Sequence, residues 1–200
     1  MWNPTLRLRS GQAVFEKRET WGTRQRIIIG EHRQASFCNR RRVKVTSTHE
    51  KLIVEFQEFA RTGATAESLM KCISQRLHET MTRYNWVGFY VADPADANFL
   101  LVGPYVGSFS PHVRIPLDRG LCGAAASTGQ TIVANDVSKD PRYLAGSSLV
   151  NSEIVVPIFA KGKLAGELDI NSYFAGTFTP EERAFVEACA ALVGSYFAKR

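Results

Sequence analysis

Three polar residues stand among strongly apolar neighbours in the second half of the sequence: Glu153, and Asp169 with Asn171. Side chains alternate across a strand with a period of two, so Asp169 and Asn171 share a face. Register decides whether Glu153 joins them. A three-residue loop over 161–163 sets Ala160 opposite Leu164 and Glu153 opposite Asn171, whereas a two-residue loop pairs Glu153 with Ile170. An unpartnered carboxylate in a core costs several kcal/mol, so acids converging on a buried strand face call for a cationic or donor-rich ligand. The alternative is a solvated face, with Glu167 and Asp169 pointing to water.

Two further groups carry possible chemistry. Trp86 and Tyr90 lie four residues apart on one strand pattern, hence on one face, where they can wall a cavity for an apolar group or simply pack a core. Cys122 sits in Arg119-Gly120-Leu121-Cys122-Gly123, at the start of a small-residue helix. Backbone amides and a neighbouring arginine there lower a thiol's pKa, while the small residues suit tight packing of an inert thiol. Cys38, Cys72 and Cys189 form no Cys-x-x-Cys pair or zinc spacing with it, and Cys72 and Cys189 read as buried small hydrophobes. His32, His49, His78 and His112 are scattered and no glycine-rich phosphate loop follows a strand, so no metal or cofactor is expected.

The elements that must position these residues follow from periodicity. Ser47 and Glu50 have capping-box spacing before a helix with Leu52, Ile53, Phe56, Phe59 and Ala60 at helical intervals, ending near Gly63. A second helix from about Thr65 carries Leu69, Met70, Ile73, Leu77 and Met81 on one face. Strands are expected over 86–92 and 99–106 around the turn-rich 93–96, then over 113–116, 131–134, 153–160 and 164–172. A small helix over 120–127 and a long loop over 136–151 separate them. Thr179, Pro180 and Glu182 mark an N-cap, a first-turn proline and a capping-box glutamate for a last helix with Phe185, Cys189, Leu192, Val193 and Tyr196 toward the core. The order predicts an α+β domain over 47–200, an antiparallel sheet flanked by N- and C-terminal helices.

Composition narrows the function classes. Purely apolar runs such as 27–29 and 154–156 fall far short of the roughly 20 residues of a membrane span, and no signal-peptide pattern opens the chain, so a cytoplasmic protein is expected. The net charge of +6 is carried by residues 1–50, with eleven Lys or Arg against four acids, which leaves the remainder near −1. Residues 1–46 show no sustained period and read as a disordered basic extension, so no nucleic-acid-reading face is expected on the domain.

Taken in order, Asn85 to Tyr90, Gly103-Pro104-Tyr105, Gly120-Leu121-Cys122-Gly123, Ser152-Glu153-Ile154-Val155-Val156-Pro157 and Leu168-Asp169-Ile170-Asn171-Ser172 resemble the free methionine-(R)-sulfoxide reductases, which are single GAF domains. The resemblance covers roughly residues 50–198. It implies a GAF-like fold and a pocket in which residues matching Glu153, Asp169 and Asn171 hold the ammonium and sulfoxide groups of free methionine sulfoxide. It also implies that Trp86 and Tyr90 pack around the methyl end, and it favours the three-residue loop.

The same resemblance exposes departures. The family's nucleophilic cysteine lies in a loop segment resembling Tyr143-Leu144-Ala145-Gly146, and Gly146 holds its place; a second family cysteine is matched by His112, and a third is retained as Cys122. Sulfoxide reduction by this route needs one thiol to attack sulfur and another to resolve the sulfenic acid. The expectation is therefore a pocket for a small zwitterion such as methionine or its sulfoxide, with reductase chemistry lost or weakened. Two alternatives stand beside it. One is an active reductase that uses Cys122 with a thioredoxin-type reductant. The other is a sensor or homodimerisation module whose helices over 48–62 and 180–198 form the seam.

Overall fold

The computed structural model describes residues 47–198. The basic extension expected over 1–46 lies outside the described residues, as does the Ser47 side chain of the expected first capping box. Helices α1 (Ser47–Arg61) and α2 (Ala66–Thr80) precede strands β1 (Trp86–Ala92), β2 (Phe99–Gly107) and β3 (Arg114–Pro116). Then follow α3 (Gly120–Thr128), β4 (Ile132–Ala134), β5 (Ser152–Ala160), β6 (Lys163–Ser172) and α4 (Pro180–Ala198). The strands make one antiparallel sheet in the order β3-β2-β1-β6-β5-β4. This is the expected α+β architecture. No described helix is long and apolar enough to cross a membrane.

The two sheet faces follow from strand alternation. Val87 and Phe89 of β1, Ile154, Val156 and Ile158 of β5, and Leu168 and Ile170 of β6 point to one side. There they meet Leu52 and Phe56 of α1, Leu69, Ile73 and Leu77 of α2, and Phe185, Cys189 and Val193 of α4. Each fully buried side chain of this size contributes about 1.5–3 kcal/mol, which makes this layer the main stabilising core. Cys189 is buried in it as expected, whereas Cys72 is only partly buried. The opposite face carries Trp86, Tyr90, Val155 and the polar residues, and it is covered by α3 and the loops rather than by long helices.

Two local expectations need correction. Thr179 does cap α4, accepting from the Glu182 amide at 3.3 Å, but the Glu182 carboxylate does not fold back to complete a capping box. It accepts from the Tyr84 hydroxyl and lies 3.4 Å from His49 Nε2, whose ring stacks on Phe185 at 4.1 Å. A tertiary pair of partners outcompetes the local one. The β5–β6 turn has two residues, with Ala160 opposite Lys163, instead of three. Lys161 (φ 51°) and Gly162 (φ 77°) both adopt left-handed backbone, the requirement of the tight hairpin turn that matches strand twist. A two-residue loop alone would have put Glu153 opposite Ile170. One extra residue on β6, where Phe159 pairs with Leu164 but Ile158 with Gly166, restores the register and sets Glu153 opposite Asn171.

Candidate functional site

Three central strands bring one row of side chains together. Trp86 pairs with Asn171, Gly88 with Asp169 and Tyr90 with Glu167 across β1–β6, while Glu153 pairs with Asn171 and Val155 with Asp169 across β5–β6. All of these share one face. Gly88 lies beneath the Trp86 indole, where a Cβ would come within 2.3 Å of the ring, so only glycine lets that ring lie flat along the strand. The indole then stacks on Phe109 and on Tyr105, each at 5.6 Å, and sits 6.3 Å from Tyr90.

These residues line a cavity of about 30 Å³ inside a partly open envelope of about 420 Å³. Trp86, Tyr90, Glu153, Asp169 and Asn171 form its floor and walls. Cys122 enters from the first turn of α3, and His112 and Gly146 stand at the rim with Phe109 and Leu144. Every site residue singled out in the sequence therefore meets in one place. Among the described residues, no lysine or arginine lines it.

The electrostatics are those of concentrated, dehydrated acid. Glu153 and Asp169 are each 6% exposed and Glu167 is 0% exposed, which overturns the solvated-face alternative. Burial, followed by the charges of Asp169 and Glu167, pushes the Glu153 carboxyl well above the usual range. Burial raises Asp169 to about 8, partly opposed by Asn171 Nδ2, which donates to its Oδ1 at 2.8 Å. Glu167 is raised by burial as well, and neither of its oxygens makes a hydrogen bond of normal geometry.

Of the two readings of Cys122, its burial favours the inert thiol. It is buried, and dehydration, then the charges of Glu167, Asp169 and Glu153, hold its thiol well above its ordinary pKa. Burial, reinforced by three carboxyls from β5 and β6, keeps the thiol protonated at neutral pH. Replacing Glu167 by Gln is expected to shift the pH profile of Cys122 alkylation to lower pH, measured in a background where Cys38, Cys72 and Cys189 are Ser. An unchanged profile would show that Glu167 does not govern the thiol.

The sequence reading passed over Glu167 as a site member, although its period-two spacing from Asp169 places it on the same face. Phe109 and Leu144 came from loops without periodicity, and nothing in their spacing marked them.

Residues 65–196 match the GAF domain family. The chain is 38% identical over 110 residues to the free methionine-R-sulfoxide reductase of Saccharomyces cerevisiae, covering 54% of this chain and 61% of that protein, so it spans less than two thirds of that relative's length. Among solved structures, it resembles the free methionine-R-sulfoxide reductase of Neisseria meningitidis in complex with its substrate, with a TM-score of 0.71 and 28% identity over 77% of this chain and 92% of the other. It also resembles the type II free methionine-R-sulfoxide reductase of Thermoplasma acidophilum, with a TM-score of 0.62 and 35% identity over 72% and 96% of the two chains.

Proposed function

The chain belongs to the GAF domain family, and from that premise and its similarity to free methionine-R-sulfoxide reductases we propose that its pocket binds a free zwitterionic amino acid, methionine or its sulfoxide, with the relatives' redox chemistry lost or weakened. The observation that carries the binding reading is a pair of buried carboxylates, Glu153 and Asp169, facing a cavity with no cationic side chain among the described residues. An ammonium group supplies the missing charge and several N–H donors at once. Asn171, bonded to Asp169, orients that carboxylate and offers its own carbonyl.

The other groups of such a ligand have counterparts. Gly120, Leu121 and Cys122 line the cavity at the N-terminus of α3, whose N-cap residue Arg119 makes no side-chain cap. First-turn amides lack intrahelical acceptors and favour an anion such as a carboxylate. The Trp86 Nε1–H is buried without a hydrogen-bond partner among the described residues and suits an oxygen acceptor, while the Trp86 and Tyr90 rings suit a thioether methyl. The cavity as described admits water-sized guests, so an amino acid enters with displacement of the rim at Phe109, Leu144 and Gly146.

The loss of turnover follows from what stands at the reacting positions. Glycine at 146 and histidine at 112 supply no redox sulfur, and the protonated, buried Cys122 is a poor nucleophile. Isothermal titration with methionine and with both sulfoxide epimers tests the reading: binding of at least one is expected, and no heat at millimolar concentrations of all three would overturn it. Turnover of the free (R)-sulfoxide with a dithiol reductant, abolished in Cys122→Ser, would instead establish the active-reductase alternative.

A further inference from the structure

Cys122 is the pocket group that an amino-acid ligand leaves unused. Its Sγ and a carboxylate oxygen from each of Glu153 and Asp169 lie within 4.8 Å of one another. All three residues are more than nine-tenths buried, at 4%, 6% and 6% exposure. The Glu153 carboxylate, which lines the cavity, accepts no hydrogen bond from any described residue. An ammonium group would satisfy the carboxylates but has nothing to offer a thiol. A divalent cation of borderline softness is served by sulfur and oxygen together.

The geometry points to a divalent-cation site in which Cys122 Sγ, Glu153 and Asp169 hold one zinc-class ion through one sulfur and two oxygens. Bonds of about 2.3 Å to sulfur and about 2.0–2.2 Å to oxygen place tetrahedral ligand atoms roughly 3.3–3.8 Å apart. The observed set therefore closes by at most about 1.5 Å on binding. Asn171 holds one oxygen of Asp169 at 2.8 Å and leaves the other for the ion, the outer-shell arrangement that orients a ligating carboxylate. A cavity of about 30 Å³ holds an ion with one water in the fourth position, whereas an amino acid requires the rim to move. The ion displaces the Cys122 proton, and those carried by the two carboxyls, to solvent; no electron is transferred, and affinity falls as pH falls.

The site does not rest on the amino-acid reading, and because both occupants use the same carboxylates they exclude one another. Cadmium titrated into the chelator-treated full chain tests it. A thiolate-to-cadmium absorption band saturating at one equivalent is expected. The band should be lost in Cys122→Ser and kept when Cys38, Cys72 or Cys189 is replaced by Ser. Glu153→Gln should weaken zinc binding, measured by calorimetry, roughly tenfold or more, which preserves the test if Cys122→Ser fails to fold. No band, or one that survives in folded Cys122→Ser, overturns the cation site. Methionine binding without the band overturns the cation site alone, and the band without methionine or sulfoxide binding overturns the amino-acid reading alone.

Discussion

Asp169→Asn is expected to weaken binding of methionine or its sulfoxide by about 2–5 kcal/mol, the usual cost of removing one partner from a buried charge pair, or roughly 30-fold to several-thousand-fold in Kd. The same substitution is expected to stabilise the ligand-free protein at pH 8. Asp169 is raised to about 8 from the ordinary value of 3.8, chiefly by burial, so the folded state retains a proton that the unfolded chain releases. Its contribution is complete below about pH 4 and is lost as pH rises through about 8. Glu153, raised by burial and by the neighbouring charges, acts in the same direction. At about 1.4 kcal/mol per pKa unit, the loss across this window amounts to several kcal/mol. Asparagine does not titrate, so thermal melts between pH 4 and 8 should show a flatter profile for the variant. A wild-type profile that is already flat would mean that Asp169 is ionised in the folded state without a partner. Equal ligand affinity in both proteins would remove Asp169 from the binding site.

The second large effect concerns Gly146. A Cβ built there meets Phe109 Cε2 at 3.0 Å and Cδ2 at 3.7 Å, and Phe109 is stacked on Trp86. The aromatic ring thus occupies the room a side chain at 146 would need. Gly146→Cys alone is expected to turn over the (R)-sulfoxide weakly, because the introduced thiol must push the ring out of its stack. Combined with Phe109→Ala, it is expected to produce methionine far faster. Loss of the covalent nucleophile costs on the order of 10⁶ in rate in a serine protease, so most of the gain should come from the thiol. Its thiolate attacks the sulfoxide sulfur and takes the oxygen as a sulfenic acid, which a dithiol then reduces to thiol and water. Chromatographic assay of methionine with and without the dithiol measures the effect. A double variant that binds methionine yet releases none from the sulfoxide would show that more than the nucleophile has been lost.

Much of the site was legible because parity along a strand is a local property. Asp169 and Asn171 share a face whatever the rest of the chain does, and so do Trp86 and Tyr90. The partner of Glu153 was not legible in the same way. Counting back from the turn gives the observed pairing only for a three-residue loop, yet the turn has two residues and an extra residue on β6 restores the register. The bulge lies next to Gly166, which pairs with Val91 of β1 and where a Cβ would lie 2.2 Å from the Tyr90 carbonyl oxygen. Loop counting on a single hairpin contains no information about that third strand.

Cys122 and Glu182 show the same limit from the side of chemistry. The neighbours of Cys122 in the chain left an activated and an inert thiol both open, and those of Glu182 suggested a local cap. Burial, followed by the carboxyls of β5 and β6, suppresses the thiol's ionisation, and Tyr84 and His49 claim the glutamate.

The amino-acid sequence by itself determined the helices, the strands, the α+β class and which side chains share each strand face, because these depend on periods of 3.6 and 2 within a single segment. Only the tertiary structure decided that Glu153, Asp169 and Cys122 line one dehydrated cavity, with Glu167 buried beside Cys122 and no cation among the described residues of its wall. Dehydration and charge repulsion act through space between residues far apart in the chain, and no local pattern encodes them.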